Sequence, residues 1–111
     1  MITQHSRIDY ERIGDIATPL VRTVLLEVYG SDFCRASTEE CLILMETVAF
    51  SLRVGGAFCD NLRAVVGDGP DMPCGIYTPA GVARNEGLKL LAMLQAAIVE
   101  NYSILAAQKN I

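Results

Sequence analysis

Residues Cys41 to Cys59 read CLILMETVAFSLRVGGAFC, a run in which Glu46 and Arg53 are the only charged side chains. A helix this apolar cannot face water on more than a narrow side, so it needs apolar neighbours around most of its circumference. Ser37 stands just ahead of it with Glu40 three residues on, the pairing in which side chains satisfy the free amides of a helix start and place negative charge at the positive end of its dipole. Glu39, Glu46, Arg53 and Asp60 recur every seven residues, within about 60° of one another on a 3.6-residue helix. That stripe predicts one continuous helix from Ser37 to Val66, carried straight through Gly55-Gly56.

The run approaches the roughly 20 residues needed to span a bilayer. A central Glu and Arg would each cost about 2.5–3.5 kcal/mol there, so the expectation is a helix buried in protein, with no membrane partner.

On the N-terminal side, a second helix is predicted over 7–29, with Ser6 as N-cap and Asp9 completing the box. Tyr10, Ile13, Ile16, Leu20, Val21, Val24, Leu25 and Val28 share about half its circumference at about 100° per residue. Pro19 falls inside this phase and predicts a kink, or two helices in line with Thr18 capping the second. Gly30 is the expected stop.

On the C-terminal side, Gly67 to Thr78 (GDGPDMPCGIYT) holds three Gly and two Pro, which excludes helix and strand and leaves a linker or a lid. Thr78-Pro79 then has the order of an N-cap followed by Pro at the first helical position, and predicts a third helix running to about Gln108. Its apolar arc is Ala83, Gly87, Leu90, Leu91, Leu94, Ile98, Tyr102 and Leu105. Ala83 and Gly87 are small enough for another helix to come close. The fold class is therefore all-α: a bundle of three long helices, the first kinked or split at Pro19, in a single domain over 1–111.

Hydrophobic residues make up 51% of the chain and aromatic ones 6%, so the core must be aliphatic. The net charge of -4 comes with Lys and Arg scattered rather than clustered, which argues against a nucleic-acid partner. Cys34, Cys41, Cys59 and Cys74 lack CxxC or CxxH spacing and read as reduced thiols of a cytoplasmic protein. The first fifteen residues carry charge throughout and have no apolar core, unlike a secretory signal.

Coverage decides the expected assembly. If five or six large apolar groups stayed wet at about 1.5–3 kcal/mol each, the loss would rival the stability of a whole domain. A two-fold homodimer in which the second or third helix meets its symmetry mate removes the problem.

Chemistry is less legible. Glu46 and Arg53 stand about 10 Å apart along one helix, too far for an intimate ion pair. With Asp60 and Arg84, and with Gln95 or Asn101 nearby, they form the candidate ligand-binding set, which residues 67–78 would cover. Asp60, Asp68 and Asp71 match no calcium loop. Glu39, Glu40 and Glu46 do not reproduce the paired ExxE and ExxD signatures of the all-helical nucleotide pyrophosphohydrolases. His5 is the lone histidine, so no Ser-His-Asp or Cys-His system is expected. GDGPDMPCG lacks the GK[ST] ending of a phosphate loop. No cofactor or metal is implied. The reading is a small helical protein acting through self-association and protein binding, as an adaptor or regulator. The alternative is a small-molecule-binding or enzymatic bundle around Glu46, Arg53, Asp60 and Arg84.

Overall fold

A computed structural model describes residues 20–109, with side chains through Tyr102. Four α-helices follow one another among the described residues: α1 (Val21–Tyr29), α2 (Thr38–Val54), α3 (Phe58–Val66) and α4 (Arg84–Lys109). Two 3-10 turns, Ser31–Phe33 and Cys74–Ile76, complete the element order. The chain is all-helical over this range, its one β feature being an isolated antiparallel bridge between Ala57 and Gly81.

α1 begins where Leu20 is extended (φ −63°, ψ 146°), so the helical path does not pass through that residue. The part of the first predicted helix over 7–19 lies outside the described residues. Gly30 ends α1 as expected, its N–H donating to Leu26 O at 2.8 Å with φ at +86°. Arg35 then reaches back and donates to the Glu27 and Val28 carbonyls, both at 3.3 Å, placing a cation at the negative end of the helix.

α2 opens with the expected box: Ser37 Oγ accepts from Glu40 N–H at 3.1 Å, and Glu40 Oε1 accepts from Ser37 N–H at 2.9 Å. Its buried stripe is Cys41, Leu44, Thr47, Val48 and Ser51, while Glu39, Glu46 and Arg53 face water.

The second predicted helix does not continue to Val66. It ends at Val54, and Gly55 (φ +77°, ψ −163°) and Gly56 (φ +88°) turn the chain before α3 starts. Both glycines use backbone that L side chains rarely adopt. Asn61 locks the turn: its buried Nδ2 donates to Ser51 Oγ at 2.9 Å and to Gly55 O at 3.0 Å, satisfying a carbonyl at the end of α2. The seven-residue charge spacing misled because Asp60 is exposed on its own short helix. A surface charge is tolerated whether or not the helix beneath it is unbroken. Gly55→Ala would meet nothing within 4 Å, so its effect is purely conformational. The strain of about 1–3 kcal/mol is partly offset by the stiffer unfolded chain, for an expected net loss of about 1–2 kcal/mol in urea melts.

The third predicted helix starts later than Thr78-Pro79. Thr78 O and Ala80 O accept the first amides of α3, from Cys59 at 2.9 Å and Phe58 at 2.8 Å. Thr78 Oγ1 accepts from Ala80 N–H at 3.2 Å. Residues 78–81 are thus committed as an extended cap on α3, and α4 forms only from Arg84. The 67–78 segment is tied down at one end, with Met72, Ile76 and Thr78 buried.

One cluster joins every element: Leu25 from α1, Phe33 from the first turn, Leu44 and Val48 from α2, Phe58 and Leu62 from α3, Ile76 from the linker, and Leu90 and Leu94 from α4. α2 and α4 form its main contact. The bundle therefore has four described helices of unequal length rather than three long ones.

Candidate functional site

α4 spans 26 residues against 17 for α2. Its inward side follows the expected arc through Gly87, Leu90, Leu91, Leu94 and Ile98, which are buried or half-buried. Tyr102 departs from that arc and is 58% exposed, and among the described side chains of α4 the last buried one is Ala97. At about 100° per residue, Leu88, Ala92 and Gln95 project away from Leu90, Leu94 and Ala97, and all three are exposed. This outer face carries an apolar content that the sequence already contained.

A hollow of about 770 Å³ lies between this helix and the Ser31–Cys34 turn. Ala92, Met93, Ala96 and Ala97 form its apolar wall, and the carboxylates of Asp32 and Glu100 border it. Asp32 (φ +55°) and Phe33 (φ +59°) take left-handed backbone without being glycine. Burial of the Phe33 ring, 1% exposed and 6.1 Å from the Tyr29 ring, holds this strained turn in place. The strain leaves no mark in the local sequence, since it depends on where the ring is pulled.

A second hollow, of about 420 Å³, is bordered by Ser51, Leu52, Gly55, Val82, Arg84 and Leu88. Of the four candidate ligand-binding residues, only Arg84 lines it. Glu46, Arg53 and Asp60 are exposed elsewhere. The Arg53 guanidinium lies 5.4 Å from the Phe50 ring centroid, and Asp60 pairs with Arg63 at 3.5 Å on the surface. Asn101 borders the larger hollow, while Gln95 sits on the outer face of α4. Asp68 and Asp71 are both exposed. Among the described residues no three of His, Cys, Asp and Glu gather closely enough to hold a metal ion, and no helix is long and apolar enough to cross a membrane.

Among the described residues two titratable groups are shifted, both chiefly by burial. The Tyr29 hydroxyl is pushed up by desolvation and then by Glu40, to whose Oε2 it donates a hydrogen bond at 3.2 Å. Desolvation, then Glu40, pushes the Cys41 thiol up. Cys34 and Cys74 are exposed, whereas Cys41 is fully buried. The thiolate is the reactive form, so a maleimide at neutral pH is expected to label Cys34 and Cys74 within minutes and Cys41 only after denaturation. Peptide mapping by mass spectrometry reads this, and rapid labelling of Cys41 in the folded chain would refute the packing described.

Comparison of the chain with known protein families, curated proteins and solved structures finds no match.

Proposed function

We propose that this chain is a small helical protein that acts by association, with a second copy of itself and, through its acidic surface, with another protein, as an adaptor or regulator in the cytoplasm. The observation that carries this reading is the number of large apolar side chains left about half exposed: Leu42 at 48%, Val54 at 51%, Leu88 at 54% and Tyr102 at 58%. Two of these lie on α4. Isolated exposed apolar residues are ordinary, but on α4 they share a face with alanines, and such faces mark contact surfaces. Light scattering during gel filtration at micromolar concentration is expected to give twice the mass of one chain. A single subunit under those conditions would refute self-association.

A second reading keeps one specific support. Arg84 borders the 420 Å³ hollow, where a guanidinium beside Ser51 suits a small anionic group. In that reading Arg84 carries the binding, while Glu46, Arg53 and Asp60, the other residues of the expected set, stand outside the hollow. Native mass spectrometry of the purified chain separates the two readings, since it reports subunit number and any retained small molecule together.

A further inference from the structure

We propose that a second copy of this chain docks antiparallel along the outer face of α4, about a two-fold axis close to Gln95. This inference rests on the self-association proposed above and names its surface.

The spacing is the first argument. Positions 88, 92, 95, 99 and 102 advance by alternate steps of four and three, the seam by which helices pack knobs into holes. Leu88, Ala92, Val99 and Tyr102 supply apolar groups there, and Gln95 is the polar residue at the centre. The opposite side of the same helix is spent on the chain's own core through Leu90, Leu94 and Ala97. Folding of the single chain thus leaves the seam turned outward.

Charge chooses both the occupant and the direction. Lys89 lies six residues before Gln95 and Glu100 five residues after it, along the same edge of the seam. In an antiparallel pair each Lys89 comes opposite the partner's Glu100, twice over. A parallel pair would put the two copies of this edge on opposite sides of the seam and forfeit the pairing. The face is thus complementary to itself in one orientation. Lys89 is exposed, its recorded pairing being a loose 3.9 Å contact with Glu86. Under the same two-fold operation Leu88 meets the partner's Tyr102 and Ala92 meets the partner's Val99, large with large and small with medium. The two central Gln95 amides can donate to and accept from each other, and a polar residue at one seam position fixes register.

Size sets the affinity. A 26-residue helix is about 39 Å long. Two such helices side by side bury on the order of 1,000 Å², the low end for a specific complex, so the dimer is expected to be concentration-dependent.

The test uses the full chain. Cys34, Cys59 and Cys74 are replaced by Ser, and Gln95→Cys is added, with Asp68→Cys as the exposed control. Mild oxidation is expected to give covalent dimer from Gln95→Cys at least about tenfold faster than from the control. In sedimentation equilibrium, Lys89→Glu should weaken the dimer about tenfold, and adding Glu100→Lys in the same chain should restore it. Both positions are exposed, so circular dichroism should be unchanged. A dimer that persists in Lys89→Glu and does not cross-link through Gln95→Cys overturns this surface while leaving self-association standing. A single subunit at every concentration overturns both, the face then being covered by the chain's first 19 residues or reserved for a different protein.

Discussion

Phe58→Ala is expected to lower stability by about 3–5 kcal/mol, the range for emptying a fully buried phenylalanine site. Phe58 is 0% exposed and is the first residue of α3, directly after the Gly55–Ala57 turn. Its backbone N–H is also held by Ala80 O, so the ring sits where the turn, the short helix and the 78–81 segment meet. Truncation leaves a void lined by elements that backbone hydrogen bonds keep from collapsing inward. Domains of this size have about 5–15 kcal/mol in total, and each kcal/mol moves the midpoint by about 4–8 °C for the smallest of them. A thermal melt should therefore drop by about 15 °C or more. A fall under about 5 °C would mean that the ring is not the packing centre it is taken to be.

Gly87→Val is expected to cost about 2–3 kcal/mol by overpacking. A Cβ at Gly87 would stand 2.6 Å from Leu52 Cδ2, 2.8 Å from Val82 Cγ1 and 2.9 Å from Leu52 Cγ. The end of Leu52 can swing aside, but its Cγ and the stiff Val82 side chain can do so only with backbone movement. Valine adds two further methyls and recovers little helix propensity over glycine. The cost should be coupled to its neighbour: Leu52→Ala in the same chain is expected to return at least about 1 kcal/mol of it, a non-additivity that urea melts of the four-member cycle would detect. Additive losses would show that Leu52 is not what Gly87 accommodates.

Gly87 also illustrates what could be read in advance. Its small size within an apolar arc announced a close approach by another helix, and α2 makes that approach through Leu52. The Ser37–Glu40 box and the Gly30 stop were equally legible, because caps depend on atoms within a few residues of one another. The Gly55-Gly56 break and the late start of α4 were not. In each, the local pattern allowed two conformations, and the choice was made by a distant partner: Asn61 for the carbonyl of Gly55, and the free amides of Phe58 and Cys59 for the carbonyls of Ala80 and Thr78. Among the candidate ligand-binding residues, periodicity marked Glu46 and Arg53 as standing on a wet stripe, which they do. It carried no information on whether Arg84 would come near them.

By itself, then, the order of residues determined that the described residues are helical, where the Gly30 stop and the Ser37 cap fall, and most of the side of α4 that turns inward, since all of these follow from interactions within one or two turns. Only the tertiary structure decided where α2 stops, that residues 78–81 serve as a cap for α3, and which face of α4 remains outside. These choices turn on hydrogen-bond partners and packing surfaces from 6 to more than 30 residues away, and no local pattern encodes which partner will arrive.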